Sequence, residues 1–410
     1  MGGLRTFVSD GTQNVSYKTL LDDLNCVASC PKYLKPTSLY ECFKGILASA
    51  LSGTEIVLLD SDFSATEIES LTGLPNGDLS KIQSPRTYKN LQSEDELVSL
   101  LASVRDFKIT FFTSGTTGLP KKVSHTLASI TRFLKQSPTH SNDVWGFAYN
   151  PTHIAGIQVF FQAIFNRNKI VRLFGLSADE VFSAIKSEEI THISATPTFY
   201  RMLIGALGTA ESVKRITSGG ERFDDTLLAR ITKIFPNAKI TNVYASTEAG
   251  TLFASQGSAF VLKEDLKNLV RVVEGELLLD SSLLGDSQAI ALDGNWYHTG
   301  DIVEVICENP LTLKFVSRKN EMINVGGYKV NPSEVEDAIL SIESVSQVRV
   351  YGKKNSVLGN IVCADIVSDV HDEKSIRTHL KIRLQEFKIP RIIKFVEKVE
   401  STRTGKILRQ

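Results

Sequence analysis

Up to about residue 250, short apolar runs alternate with stretches of helical periodicity, and this alternation limits the fold more than any other feature of the chain. Leu39 to Leu51 carries helix-spaced apolar residues, meets Gly53 as a stop, and is followed by the run Ile56-Val57-Leu58-Leu59. Ile109-Thr110-Phe111-Phe112 ends in a glycine-rich turn. Ile193-Ser194-Ala195 leads through Pro197 into the periodic segment Phe199 to Leu207, and Lys239-Ile240 to Val243 ends near Tyr244. Strands separated by helices pair in parallel through crossovers, so the pattern predicts βαβ units and a mostly parallel sheet. Ligands of such sheets bind beyond the carboxyl ends of the strands, where these Gly- and Thr-rich turns fall.

After Gly250 the pattern changes. Leu277-Leu278-Leu279, Ile302-Val303-Glu304-Val305 and Leu313-Lys314-Phe315-Val316 predict a small β-rich subdomain. A third unit starts near Asn320. Pro332 to Leu340 opens as Pro-Ser-Glu-x-Glu, with acidic residues in the first turn of a helix. Val348-Arg349-Val350-Tyr351 and Ile361-Val362-Cys363-Ala364 read as strands, and Lys374 to Phe387 as an amphipathic helix. The predicted class is α/β: a large N-terminal domain of parallel and mixed sheets with flanking helices and a β-rich subdomain, then a small α+β C-terminal domain.

Composition decides the class of partner. In 410 residues, 46 Lys+Arg balance 46 Asp+Glu. A chain without net charge lacks the long-range field of a general nucleic-acid or anionic-membrane binder. No apolar stretch approaches about 20 residues, so no membrane span is expected. The N-terminus does not read as a signal peptide. Cys26, Cys30, Cys42, Cys307 and Cys363 are odd in number and scattered, which points to buried free thiols rather than a disulfide or zinc framework. The expected setting is cytoplasmic, with no nucleic acid as partner.

The sharpest local feature is Phe112-Thr113-Ser114-Gly115-Thr116-Thr117-Gly118-Leu119-Pro120-Lys121-Lys122. A strand-end loop of small residues lets backbone N–H groups approach a polyphosphate, hydroxyls add donors, and a lysine adds charge. It lacks the spacing of a Walker A loop. By itself it also fits a polar turn after a strand.

Together with five further motifs in order, the loop resembles the adenylate-forming superfamily of acyl-CoA synthetases, nonribosomal adenylation domains and beetle luciferases. Ser218-Gly219-Gly220-Glu221 is similar to the adenine-side loop, and Asn242-x-Tyr244-Ala245-Ser246-Thr247-Glu248 to N-x-Y-G-x-T-E. Trp296 to Asp301 matches W-x-x-T-G-D, Arg318 to Glu336 resembles the stretch that opens the mobile C-terminal domain, and Thr402 to Ile407 the terminal lysine motif. The resemblance implies a boundary: residues 1–319 as the ATP- and acyl-binding domain, and 320–410 as a mobile lid carrying the catalytic lysine.

It also implies roles. Thr113, Ser114, Gly115, Thr116, Thr117 and Gly118, with Lys121, would hold the β- and γ-phosphates of ATP. Tyr244 would stack on adenine, with Asn242, Ala245, Gly219, Gly220 and Glu221 around it. Thr247 would bond the α-phosphate and Glu248 would ligate Mg2+. Asp301 would accept the ribose hydroxyls, with Arg318 beside it as a fork of donors. Lys406 would bridge the attacking carboxylate and the α-phosphate. His153, Gly156 and Ser218 would line or gate the acyl pocket, Gly326 and Gly327 would border the pantetheine channel, and Asn320 would be the hinge, where relatives usually carry Asp or Lys.

The implied reaction forms an acyl-adenylate from a small carboxylic acid and ATP, then a thioester. The stretch "INVGGYKVNPSEVE" looks most like acyl- and aryl-CoA ligases, so CoA is the first acceptor expected. A carrier protein presenting phosphopantetheine is the alternative, and a nucleotide-binding protein without turnover is a reading from another class. The absence of Asp between Asn150 and Asn166 argues for an acid without an α-amino group. Ala245 stands where Gly is usual, and the lead-in of residues 1–112 is short for the superfamily, so a trimmed first subdomain is expected to shape the acyl pocket.

Overall fold

Two compact units divide the chain. The computed structural model describes residues 5–75, 78–113, 121–204, 206, 208–326, 328–355 and 359–400. The first unit comprises Met1–Ser194, Ala245–Thr251 and Leu284–Ala291; the second comprises Ala195–Tyr244, Leu252–Leu283 and Leu292–Gln410.

In the first unit, Thr6–Ser9, Lys169–Arg172, Val144–Phe147 and His192–Ala195 pair in parallel in that spatial order, and Asn14–Ser16 closes the edge antiparallel. A second sheet orders Tyr33–Leu34, Glu55–Leu58 and Lys108–Thr113 in parallel, with Lys121–Thr126 returning antiparallel. Helix Leu39–Leu51 matches its sequence pattern; Ser38 caps it by accepting from the Glu41 N–H, and Gly53 leaves it at a positive φ of 65°. Helix Ile154–Phe165 is apolar on nearly every face and is a core element: Phe160 and Phe161 are fully buried, and Phe160 stacks on Phe43 with centroids 4.2 Å apart.

In the second unit, Arg215–Gly219 and Lys239–Ser246 pair in parallel. The β-rich piece is an antiparallel sheet ordered Ala259–Val261, Leu311–Arg318, Trp296–Glu308, Glu276–Asp280 and Val270–Val273. The C-terminal domain has Tyr328–Val330, Ile323–Val325, Gly359–Ser368 and Val345–Asn355 antiparallel, with Ile392–Phe395 parallel to Gly359–Ser368. Val335, Ile339, Val348, Val350 and Ile366 fill its own core. Its first helix, Pro332–Leu340, has the expected bounds. Its second does not: it spans Glu373–Lys381 instead of running to Phe387. The Arg383 and Leu384 N–H groups both turn back to the Leu380 carbonyl, and a short turn at Glu386–Lys388 follows. Leu384 and Phe387 still reach the same core as Ile376 and Leu380, so the apolar spacing persists without a continuous helix.

The C-terminal domain is tied to helix Asp225–Ile234. Arg230 donates to the carbonyls of Leu340, Ile342 and Val345 at 3.1, 3.3 and 2.7 Å, covering the open carbonyl end of helix Pro332–Leu340. Arg222 pairs with Asp337 of that helix. Burial raises the Asp337 carboxyl to about 6, against the pull of Arg222, with Asp224 and Glu336 adding like charge. A carboxyl raised in the fold contributes stability that is complete below its unfolded value near 3.8 and is lost as pH climbs through 6. Asp337→Asn removes that loss. The melting temperature of the variant minus that of wild type is expected to grow from pH 4 to pH 6.5 and then level off. A difference that stays negative at pH 7 would show the Arg222 pair to outweigh burial.

Among the described residues no helix is long and apolar enough to cross a membrane. None of the five cysteines is in a disulfide; Cys30, Cys42 and Cys363 are buried as expected, but Cys26 and Cys307 are exposed.

Candidate active site

Within the second unit, three predicted residues form one hydrogen-bonded cluster. Antiparallel pairing sets Asp301, on Trp296–Glu308, opposite Arg318, on Leu311–Arg318. The Asp301 side chain, in a residue only 2% exposed, accepts from Tyr244 Oη at 2.6 Å and from Arg318 Nε at 2.9 Å. Burial, with the Asp301 charge beside it, pushes the Tyr244 phenol far above its usual range, so it stays protonated and donates. One face of the Tyr244 ring lies on Phe253, at 5.3 Å and 22°. Tyr244 shares the strand Lys239–Ser246 with Asn242 and Ala245, and parallel register sets Ser218 against Asn242 and Gly219 against Val243. A Cβ on Gly219 would stand 2.4 Å from Val243 Cγ2, so this strand pair requires glycine there. Asn242 donates to the Gly257 carbonyl at 3.0 Å. Ser218 is fully buried, and its hydroxyl has no hydrogen-bond partner among the described residues. Gly220 follows at a φ of 84°. The Glu221 carboxylate accepts from the N–H and hydroxyl of Thr198, at 2.9 and 2.7 Å, in the first turn of helix Pro197–Ile204.

Sequence reasoning passed over Glu276, which fixes the turn leading into Asp301. It accepts from the Gly300 N–H at 3.0 Å and from Lys319 Nζ at 3.2 Å, and lies 3.3 Å from His298 Nδ1. Burial alone would raise its carboxyl; the groups around it outweigh that and hold it below the usual range. Lys319 and Asn320 belong to the short turn Lys319–Glu321 between the β-rich sheet and the C-terminal domain. Gly326 turns the hairpin between Ile323–Val325 and Tyr328–Val330 at a φ of 57°, a conformation that disfavours side chains.

The first unit holds the other group of motifs. Thr247 and Glu248 are pinned through their backbone: the Thr247 carbonyl lies 2.7 Å from His125 Nε2, and the Glu248 carbonyl accepts from the Gly285 N–H at 2.7 Å. A carbonyl only accepts, so His125 Nε2 carries the proton, and Nδ1 accepts from Ser129 Oγ at 2.9 Å. Burial holds His125 below the usual imidazole range, consistent with this neutral tautomer. His125 was also missed; its only trace in sequence is a histidine on the strand after the glycine-rich loop. The Glu248 carboxylate is half-buried, and no described residue hydrogen-bonds or ion-pairs with it.

His153 is the N-cap residue of helix Ile154–Phe165, with Nε2 3.2 Å from Asp60 Oδ1. Asp60 also accepts from the Thr152 hydroxyl and, at 3.4 Å, from Asn150 Nδ2. A carboxylate therefore does lie beside this segment, brought from the end of strand Glu55–Leu58, although none occurs in the linear stretch. Gly156 packs against Phe147 and the Asn150 carbonyl. Lys121 opens the strand Lys121–Thr126, in register with Thr113. Ser114, Gly115, Thr116, Thr117, Gly118, Gly327 and Lys406 lie outside the described residues, as does the Thr113 side chain.

Comparison with known proteins fits this layout. Residues 67–272 match the family of AMP-binding enzymes and residues 334–406 the AMP-binding enzyme C-terminal domain. A long-chain-fatty-acid–CoA ligase of Mycobacterium tuberculosis is 27% identical over 334 residues, 73% of this chain and 65% of that protein, so the match spans under two thirds of that relative's length. A 2-succinylbenzoate–CoA ligase of Oceanobacillus iheyensis is 23% identical over 395 residues, 87% of this chain and 78% of that one. The solved o-succinylbenzoate CoA synthetase of Bacillus subtilis, in complex with its acyl-adenylate intermediate, shares the fold at a TM-score of 0.71 and 19% identity, covering 100% of this chain and 95% of that one. With both of its domains matched and the same fold throughout, the chain belongs to the AMP-binding enzyme family of the adenylate-forming superfamily.

Proposed function

We propose that this chain activates a small carboxylic acid with ATP, releasing pyrophosphate, and passes the acyl group from the adenylate to the thiol of CoA. The observation that carries the reading is the Tyr244–Asp301–Arg318 cluster. A carboxylate offers about four lone-pair positions. Tyr244 and Arg318 take two, which leaves acceptor capacity for the two hydroxyls of a ribose. In this reading adenine lies by Tyr244 and the Gly219-Gly220 backbone, and Ser218 borders the acyl group. The half-buried Glu248 carboxylate, unpaired among the described residues, is a hard oxygen donor that fits Mg2+, which would neutralise phosphate charge. Thr247 bonds the α-phosphate from a backbone that His125 holds in place. The glycine-rich loop and Lys121 hold the terminal phosphates. Adenylation of this kind asks the protein mainly for positioning and charge stabilisation. The domain of residues 320–410 then turns about Asn320 and opens the way for pantetheine past Gly326 and Gly327.

Both relatives named above are CoA ligases, which favours CoA over a carrier protein as acceptor. The test is pyrophosphate exchange into ATP across aliphatic, hydroxy, aromatic and amino acids; amino acids belong in the panel because Asp60 adjoins His153. Exchange with one acid class is expected. Exchange with none would overturn the ligase reading in favour of a nucleotide-binding protein. Supplying free CoA against holo-carrier protein then separates the acceptors.

A further inference from the structure

In the first unit, three side chains outside all the nucleotide motifs converge: His140, Asp143 and His192. His140 closes the turn Pro138–His140, Asp143 immediately precedes strand Val144–Phe147, and His192 opens strand His192–Ala195. The two strands are parallel neighbours, with His192 in register with Trp145. The cluster therefore sits at the amino ends of these strands, the edge opposite to that where parallel sheets bind substrates.

Asp143 Oδ2 is the shared point, 2.8 Å from His140 Nδ1 and 3.3 Å from His192 Nε2. One ligand atom from each residue lies within 4.8 Å of the other two. Surrounding groups fix the arrangement. His192 Nδ1 lies 2.8 Å from Thr191 Oγ1, and its ring packs on Trp145 at 4.9 Å, so Nε2 is the nitrogen aimed at Asp143. Buried Asn168 donates to the His140 carbonyl at 2.6 Å; Trp145 Nε1 donates to Asn168 Oδ1 at 3.2 Å, and Tyr17 Oη to the Asn168 carbonyl at 2.8 Å. Thr191 and Trp145 thus hold the His192 ring in the way histidine metal ligands use, and Asn168 anchors the backbone that carries His140.

We propose that His140, Asp143 and His192 bind a divalent transition-metal ion of the zinc class, with water completing a tetrahedral shell. Two imidazoles and one carboxylate suit Zn2+ better than Mg2+ or Ca2+, which prefer all-oxygen shells. Bond lengths of about 2.0–2.1 Å place tetrahedral ligands roughly 3.4 Å apart. Loading draws the triangle together, mainly through His140, whose side chain is the most exposed of the three at 21%. The ion staples the loop before Val144–Phe147 to His192–Ala195. This site stands or falls independently of the adenylation reading.

The test uses the full chain without a histidine tag, stripped with a chelator and titrated with Zn2+ by calorimetry without nucleotide. A parallel Co2+ titration is read by absorption. One tight Zn2+ per chain is expected, with visible Co2+ bands and no intense thiolate charge-transfer band. His140→Ala and Asp143→Asn should each weaken Zn2+ binding by about 100-fold or more, beyond the roughly 10–100-fold expected for losing a supporting partner alone. Both positions are part-exposed, so these variants retain the core contacts that His192→Ala would disturb. The proposal is overturned if wild type takes up no stoichiometric Zn2+, or if both variants bind it unchanged. A thiolate band would equally overturn it, assigning the ion to exposed Cys26 or Cys307.

Discussion

Replacing Lys406 with alanine is expected to slow pyrophosphate exchange on the order of 10²–10³-fold, while thioester formation from supplied acyl-adenylate changes far less. When a carboxylate attacks the α-phosphorus, two anionic groups approach and charge accumulates on the bridging oxygens. One ammonium placed at that point stabilises the transition state more than the bound substrates, and loss of one such preorganised donor costs about 2.7–4 kcal/mol. Most of the loss should fall in kcat, because in the proposed complex the glycine-rich loop would hold the terminal phosphates, and KM for ATP would depend mainly on them. In the second half-reaction of the proposed mechanism the leaving group is already AMP, and the proposed lid motion would have turned the lysine away. Lys406→Arg keeps the charge but changes its shape, and should recover only part of the rate. Equal losses in both half-reactions would contradict a lid that turns between them.

What the sequence disclosed was local. The helices Leu39–Leu51 and Pro332–Leu340 follow from apolar period, a start signal and a stop signal within one short window. The turn at Gly219-Gly220, at the end of strand Arg215–Gly219, is legible for the same reason. Trp296–Glu308 was only partly legible: Ile302 to Val305 reads as a strand, yet pairing with Glu276–Asp280 and Leu311–Arg318 extends it in both directions through polar and exposed residues. The groups that hold the motif residues and the C-terminal domain in place were invisible because they act across long separations. His125 and Thr247 lie 122 positions apart, Arg230 and Leu340 lie 110 apart, and Asp60 meets Thr152 across 92. Motif order named Asp301 and Thr247, but only the folded chain shows that Glu276 fixes the turn before the first and His125 the backbone of the second.

Asp301→Asn is expected to lower kcat/KM for ATP by on the order of 10²-fold or more, with little change in melting temperature. The substitution preserves volume, so no cavity opens at a residue only 2% exposed. What changes is acceptor capacity. The carboxylate accepts from Tyr244 and Arg318 and, in the proposed complex, from two ribose hydroxyls. An amide keeps one acceptor oxygen and turns two donors toward groups that themselves donate. The Tyr244 hydroxyl can rotate to accept, but the Arg318 guanidinium cannot. Hydrogen bonds to charged groups are worth about 1.5–3 kcal/mol each, so losing both ribose contacts accounts for the expected range. Stability is buffered because the Arg318 side chain is 45% exposed and turns to solvent. A purely structural Asp301 would give the reverse: a variant that melts several degrees lower yet retains kcat/KM for ATP below its transition. Nucleotide-induced shifts in melting temperature provide a second readout, and wild type should gain stability with ATP where Asp301→Asn gains almost none.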